Sequence, residues 1–203
     1  MTTDTARLES PSLPTFADVL VPPHPERGVV RAAALVVGGA LLTAAAAQLS
    51  VRMPWTDVPY TGQTAAVLLV GVALGWRLGL ASMLLYVLAG VAGVPVFNAG
   101  AAGVHQLLGV TGGYLLGFVL AAAAVGMLAE RGWDRSRLRS GGLMIAGNLI
   151  IYAVGVPVLA AVAGLPLDRA LAAGALVFLP WDALKIALAA FALPAAWRLI
   201  ERG

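Results

Sequence analysis

An aspartate and a lysine lie three residues apart in an otherwise apolar stretch, LVFLPWDALKIALAAFAL (176–193). Asp182 and Lys185, the chain's single lysine, would share one face of a helix. Charged side chains at the bilayer centre cost about 2.5–3.5 kcal/mol and usually face a cavity. A lysine near the positive N-terminal end of a helix suits a carboxylate ligand, and Asp182 would accept ligand N–H groups. The alternatives are an ion pair that only orients the helix and a pair that couples proton movement.

Polar residues also occur in the glycine-rich stretch GVPVFNAGAAGVHQLLGVTGGYLLGF (93–118) and in the apolar run at 140–163. Irregular chain at membrane depth is tolerated where it lines a cavity. We therefore expect one substrate-binding site, against the alternatives of a surface loop and of polar residues that only bond across helices. Its candidate residues are Asn98, Gln106, Tyr114, Asn148, Tyr152, Asp182 and Lys185.

The composition predicts an integral membrane protein. Hydrophobic residues make up 60% of the 203 residues and charged ones 11%, whereas soluble proteins average about 45–50% apolar and about 25% charged. The mean hydropathy is +0.89. The net charge of +3 comes from scattered arginines, with no basic stripe among aromatics, so we expect no nucleic-acid partner. With no cysteine in the chain, disulfides are excluded.

The apolar runs predict an all-α, six-transmembrane-helix bundle over residues 29–203 after a flexible cytoplasmic tail, 1–28. The predicted spans are 30–50, 63–77, 79–93, 113–130, 140–163 and 180–199, with Pro180 opening the last. If the N-terminus lies inside, alternating spans place ten arginines inside and two, Arg52 and Arg169, outside. The positive-inside rule then predicts that both termini are cytoplasmic.

Small residues recur along the first predicted span and form a flat stripe, which favours close packing of another helix. We expect this stripe to contact a partner helix, with packing inside the bundle as the alternative. Its residues are Gly39, Ala40, Thr43, Ala44 and Ala47.

Catalytic motifs are missing from the sequence. No G-x4-G-K-[ST], His-Glu-x-x-His or Gly-x-Ser-x-Gly occurs. His24 and His105 fall in predicted soluble regions on opposite sides. We therefore expect no catalytic residue, no metal and no cofactor, and interpret the chain as a binding or permeation subunit rather than an enzyme.

Four ordered motifs together resemble the BioY family, the biotin-specific S component of energy-coupling factor transporters. The resemblance covers roughly residues 30–195. The motifs are VPYTGQT (58–64), LGWRLG with LLYVLAGVAGVPVF (74–79, 84–97), TGGYLLGF (111–118) and FLPWDALKIALA (178–189).

The resemblance implies a six-helix bundle in the cytoplasmic membrane of a prokaryote, with biotin captured from outside. It implies a partner module of one transmembrane coupling protein and two ATPases, docked through small residues of the first helix. The family's motif residues fall on Asp182, Lys185, Asn98 and Tyr114, and less firmly on Tyr152. Three alternatives stay open: a solitary biotin transporter, an S component for another vitamin, and a small intramembrane enzyme.

Overall fold

The computed structural model describes residues 12–24 and 26–202, which are almost entirely helical. The α-helices of this part of the chain are α1 (Phe16–Leu20), α2 (Gly28–Gln48), α3 (Gln63–Val91), α4 (Val104–Leu108), α5 (Gly112–Ala129), α6 (Arg137–Ala163), α7 (Leu167–Gly174) and α8 (Leu179–Ile200). Short 3-10 turns occur at Asn98–Gly100, Trp133–Arg135 and Leu176–Phe178. Two-residue strands, β1 (Ser50–Val51) and β2 (Tyr60–Thr61), pair antiparallel with Ser50 opposite Thr61.

Among the described residues, five helical segments are long and apolar enough to cross a membrane. Four are α2, α3, α5 and α6, and the fifth joins α7 and α8 over Leu167–Ile200. Their best 18-residue windows have mean hydropathies between 1.8 and 2.1. These segments confirm the predicted helical membrane protein, although α3 takes the place of two predicted spans.

Helix α3 folds back on itself at Gly75, so it is a helical hairpin with arms 63–74 and 76–91. Gly75 has φ 78° and ψ 176°, a conformation open to glycine and strained for other residues. Gln63 Nε2 donates to the Tyr86 hydroxyl at 2.7 Å, whereas 23 residues of straight helix would span about 35 Å. The reversal lies next to the boundary that the sequence predicts between its second and third spans.

Close helix packing around this hairpin depends on small residues. A Cβ at Gly71 would lie 2.5 Å from the carbonyl oxygen of Ala122 in α5, and one at Gly126 would lie 2.5 Å from the backbone of the hairpin turn. On the other side of α5, a Cβ at Gly117 would lie 3.0 Å from Ile151 in α6. Larger side chains would separate these helices. Hairpin, α5 and α6 thus form the centre of the bundle.

The small-residue stripe of α2 packs mostly inside the chain, and its contact with a partner helix stays a prediction. Thr43 and Ala47 are fully buried, and Gly39 and Ala40 are buried as well. A Cβ at Gly39 would meet Ser82 Oγ at 2.6 Å. Ala44 is half-buried against the core. The stripe serves the alternative that the sequence left open, because these small residues let α2 approach α3.

Residues 12–21, here called the strap, lie across the end of the bundle that holds the hairpin turn. Phe16 stacks on Trp197 of α8 with 4.4 Å between ring centroids. The Leu13 amide donates to the Glu130 carbonyl at 2.8 Å. Thr15, Phe16 and Ala17 of the predicted tail are therefore buried against the bundle, whereas residues 19–24 and 26–28 are exposed. Residues 1–11 lie outside the described residues, and the domain division at residue 28 stays a prediction.

Helix α1 within the strap is held by charge and capping. Thr15 and Asp18 form a capping box. Arg31 of α2 contacts the Asp18 carboxylate at 3.0 Å and donates to the Ala17 carbonyl at 2.8 Å. Partial burial raises the pKa of Asp18, but the bonds from Thr15 and Arg31 outweigh it and lower the pKa below its usual 3.8.

Candidate functional site

A cavity lies at the end of the bundle opposite the strap, here called the cavity end. It lies between the start of α3, the start of α5, the C-terminal half of α6 and the first turns of α8. Aromatic rings and aliphatic side chains form much of its wall. Its lining residues are Val58, Pro59, Thr61, Gln63, Thr64, Phe97, Asn98, Gln106, Thr111, Tyr114, Leu115, Phe118, Tyr152, Phe178, Trp181, Asp182 and Lys185.

Pro180 explains how Asp182 comes to face the cavity. Helix α7 ends at Gly174, and α8 begins at Leu179 with Pro180 in its first turn, as the sequence predicts. Proline fits there because the first N–H groups of a helix have no partner within it. Asp182 therefore lies in the first turn of α8, near the positive end of the helix dipole.

The Asp182 carboxylate is almost fully buried, at 3% exposure, and both of its oxygens have partners. The Tyr152 hydroxyl of α6 donates to one oxygen. Lys185 Nζ donates to the other at 3.3 Å. A buried carboxylate is stable only with such compensation. The bond between Tyr152 and Asp182 therefore joins α6 to α8, and Asp182 still lines the cavity.

Lys185 has a second partner that the sequence reasoning missed. Its Nζ donates to Thr64 Oγ1 at 2.7 Å and lies 5.8 Å from the centre of the Trp181 ring. Thr64 stands in the first turn of α3. The sequence does contain a signal for this role, because Thr64 is a hydroxyl residue in the first turn of an apolar helix and belongs to the motif VPYTGQT. The ammonium group is thus held by two hydrogen-bond acceptors, one on α3 and one on α8.

Tyr114 lines the cavity with its ring, but its hydroxyl is already engaged. It donates to the Gly174 carbonyl at 2.8 Å. The ring lies so close to Gly155 that a Cβ there would be 2.5 Å from it. Tyr114 therefore joins α5 to the end of α7 and presents its ring, rather than a free hydroxyl, to the cavity.

Asn98 and Gln106, two of the predicted binding residues, line the cavity. Both also line a second, outer cavity that includes Arg52, Asp57 and His105. Residues that border both cavities form the boundary between them. These shared residues are Pro59, Asn98, Gln106 and Thr111.

The loop between β1 and β2 closes the cavity from the outside. Thr56 Oγ1 donates to the Ala173 carbonyl at 2.7 Å. The Tyr60 hydroxyl donates to the Val177 carbonyl, and its ring packs on Phe178 with 4.4 Å between centroids. These contacts fasten the loop to the segment that joins α7 and α8.

Asn148 is the one predicted binding residue that the structure does not bring to the cavity lining. It lies one turn of α6 from Tyr152 and is 6% exposed. Its Oδ1 is buried, with no hydrogen-bond partner among the described residues. The sequence spacing correctly predicts that Asn148 and Tyr152 lie one turn apart on α6, but the cavity lining reaches Tyr152 and not Asn148.

The arrangement suits a small ligand with one anionic group and several N–H donors. It offers a carboxylate, an ammonium, three side-chain amides and several aromatic rings. No group of three or more His, Cys, Asp or Glu side chains comes together within residues 12–24 and 26–202.

Comparison with known proteins agrees with this geometry. The family model described as "BioY family" matches residues 15–202. The chain is 37% identical to the "Biotin transporter BioY" of Thermotoga maritima over 140 residues, 69% of this chain and 81% of that protein. It is 33% identical to the "Biotin transporter BioY" of Rhizobium etli over 149 residues, 69% of this chain and 78% of that protein.

A solved structure supports the fold. It is titled "Crystal structure at 2.1 A of the S-component for biotin from an ECF-type ABC transporter" and superposes with a TM-score of 0.77. The match covers 89% of this chain and 96% of that chain at 22% sequence identity.

Proposed function

Because this chain belongs to the BioY family, we propose that it captures biotin at the cavity end and serves biotin uptake as the substrate-binding subunit of an energy-coupling factor transporter. The observation that carries this proposal is the Asp182–Lys185 pair, buried in a transmembrane helix yet bordering a cavity. The relatives are named transporters, which agrees with a binding role rather than catalysis.

The chemistry of biotin complements the site. Biotin carries one carboxylate, a ureido ring with two N–H donors and one carbonyl, and an apolar thioether ring. Lys185 is the cation of the cavity wall, and Asp182 and Asn98 offer acceptors for N–H groups. We propose that Asp182 or Asn98 reads the ureido group, while Lys185 pairs with the ligand carboxylate or holds Asp182 in its charged form. The aromatic walls cover the thioether ring.

We further propose that the two arms of α3 are separate crossings, which gives six spans. The arms of 12 and 16 residues measure about 18 and 24 Å at 1.5 Å per residue, shorter than a hydrocarbon core of about 30 Å. Local thinning of the bilayer accommodates such short spans, with Trp76 and Arg77 at the membrane interface. Six crossings put both termini on the same side.

The charge distribution supports a cytoplasmic location of the strap end. The arginines near this end include Arg31, Arg77, Arg131, Arg135, Arg137, Arg139 and Arg198. Near the cavity end are Arg52 and Arg169. By the positive-inside rule, the strap end is then cytoplasmic, and the cavity opens to the outer side of the cytoplasmic membrane of a prokaryote.

We propose that uptake requires a transmembrane coupling protein and two ATPases. The sequence G-x4-G-K-[ST] does not occur in the 203 residues, so this chain has no Walker A phosphate loop of its own. The solved structure with the same fold comes from an ABC transporter by its title.

Biotin binding to the purified chain in detergent tests the capture function. We expect one tight site by calorimetry, with quenching of intrinsic fluorescence because Trp181 lines the cavity. Biotin methyl ester, which lacks the negative charge, is the matched ligand control for the role of Lys185. A folded sample that binds neither compound contradicts the proposal, and binding of a different vitamin in the same assay would identify the ligand instead.

Biotin uptake by a biotin-auxotrophic bacterium tests the partner assignment. We expect uptake at nanomolar biotin only when the coupling protein and both ATPases are co-expressed with this chain. A variant of the ATPases without the Walker A lysine is the control. Equal uptake by the chain alone would establish the solitary transporter that the sequence left open.

A further inference from the structure

The turn that carries Asn98 has an unfavourable backbone conformation. Ala99 has φ 52° and ψ 34°, and Gly100 follows with φ 74°. Left-handed backbone is costly for alanine and persists only where surrounding contacts hold it. Asn98 stands directly before this pair and borders both cavities. Something outside the turn must therefore hold it.

Gln48, the last residue of α2, bonds to the backbone on both sides of Asn98. Its Nε2 donates to the Phe97 carbonyl at 3.1 Å, and its Oε1 accepts from the Gly100 amide at 3.0 Å. The second N–H of the amide donates to the Ala44 carbonyl at 3.0 Å. Both N–H groups and the oxygen of the side-chain amide are therefore engaged, with one bond to its own helix and two to the turn.

The Phe97 ring holds the same turn from the core. It is 2% exposed and meets the Tyr86 ring edge-on at 5.5 Å. A Cβ at Gly90 would lie 2.1 Å from this ring, so only glycine leaves room for it. The turn is thus held by the buried ring of Phe97 on one side and by the side-chain amide of Gln48 on the other.

We propose that Gln48 is a positioning residue that fixes Asn98 toward the ligand. Gln48 is absent from the lining of both cavities, so it acts through the backbone of the turn. The proposal rests on biotin capture as the proposed function. It also makes the end of α2 part of the site.

A double-mutant cycle on biotin affinity tests this role. Gln48→Leu keeps the approximate size and removes all three bonds, and we expect it to weaken binding about tenfold. Asn98→Ala should weaken binding at least as much. Because Gln48 acts through Asn98, Gln48→Leu should add less than about twofold in the Asn98→Ala background.

Thr64→Val provides the matched control for the cycle. It alters the site near Lys185, away from the turn, so its effect should multiply with that of Gln48→Leu. Full multiplication of Gln48→Leu with Asn98→Ala overturns the positioning role. If wild type binds biotin and Asn98→Ala binds equally well, the positioning role fails while the capture function stands. If folded wild type does not bind biotin, the capture function fails first.

A second measurement needs no ligand. The chain has no cysteine, so Ala99→Cys gives a single site for a nitroxide spin label on the turn. We expect the label to become more mobile when Gln48→Leu is added, with unchanged mobility of a label at an exposed position of α8, such as Leu188→Cys. Equal mobility of the turn label with and without Gln48 overturns the proposal.

Discussion

The two ends of the bundle each bury an aspartate, and the two aspartates have different surroundings. Asp182 at the cavity end is 3% exposed, and Asp134 at the strap end is 1% exposed. Each accepts a hydrogen bond from an aromatic side chain, Tyr152 for Asp182 and Trp197 for Asp134. Burial and an aromatic donor are therefore common to both, and the differences must come from the remaining neighbours.

At the strap end the neighbours close over the carboxylate. Trp197 Nε1 donates to Asp134 Oδ2 at 2.6 Å, and the Trp197 ring lies between Phe16 and the Arg135 guanidinium, which is 4.2 Å from its centroid. Asp134 Oδ1 has no hydrogen-bond partner among the described residues. Burial raises the pKa of Asp134 above its usual 3.8, although the bond from Trp197 opposes the shift.

At the cavity end the carboxylate has a cation and open space. Lys185 bonds to Asp182 and to Thr64, and all three residues line the cavity. The comparison teaches that a buried carboxylate does not by itself identify a ligand site. A counter-charge next to free volume is the distinguishing feature, because a ligand can then replace part of the existing hydrogen bonding.

Asp182→Asn gives the largest expected effect. Asparagine keeps the size and an acceptor for Tyr152, but it leaves Lys185 buried without its counter-charge. Truncating one partner of a buried charged pair costs about 2–5 kcal/mol. We therefore expect biotin affinity to fall about 100-fold or more in calorimetry.

Asp134→Asn is the matched control at the strap end. It removes an equally buried charge that borders no described cavity, so we expect biotin affinity to stay within about twofold of wild type. Equal losses of affinity in the two variants would show that both carboxylates act through the stability of the bundle, and the distinction between the two ends would be wrong.

Thr64→Val should have an intermediate effect on affinity. The change keeps the shape and removes the acceptor of Lys185, while the bond to Asp182 stays. Hydrogen bonds to charged groups contribute about 1.5–3 kcal/mol, so we expect binding about tenfold weaker or more. Thr43→Val at the α2–α3 contact is the control, because Thr43 is buried but distant from the cavity. A larger loss in Thr43→Val than in Thr64→Val would contradict the assignment.

Two element boundaries, one at each end of the bundle, were predictable because local signals determine them. Pro180 marks the start of α8 and places Asp182 in its first turn. The charged residue Arg77 in an apolar run indicates the reversal, which the structure has at Gly75. These predictions needed only propensity and charge, and neither depends on which helices become neighbours.

Helix neighbours were the part that the sequence left undetermined. Small residues indicate close packing but not the identity of the facing helix, so Gly39 was assigned to a partner although it contacts Ser82. The bond between Thr64 and Lys185 was not predicted, because the two residues are 121 positions apart in the sequence. The strap was predicted to be free because the pairing of Phe16 with Trp197 has no local signal.

Trp197→Phe tests the structural role of the strap end. Phenylalanine keeps a ring against Phe16 but removes the donor to Asp134, which leaves the buried carboxylate without its bond. The loss is about 1–2 kcal/mol, which corresponds to a melting temperature lower by about 2–8 °C for a chain of this size. Thermal unfolding in detergent checks this value. Biotin affinity of the folded variant should be unchanged, and a drop in affinity without a drop in melting temperature would contradict the comparison.

The smallest expected effect is a pair of opposite pH dependences at the strap end. The pKa of Asp18 is lowered, so its stabilisation is present above about pH 4 and is lost as the pH falls through the lowered value. The pKa of Asp134 is raised, so its charged form destabilises the fold increasingly as the pH rises through the raised value.

Melting temperatures from pH 3 to pH 7 should therefore diverge in opposite directions. Relative to wild type, Asp18→Asn should lose stability as the pH rises, whereas Asp134→Asn should gain it. The Asp18 effect should be the weaker one, because its side chain is 41% exposed and exposed ion pairs contribute little. Slopes of the same sign would mean that the Trp197 bond, and not burial, controls the ionisation of Asp134.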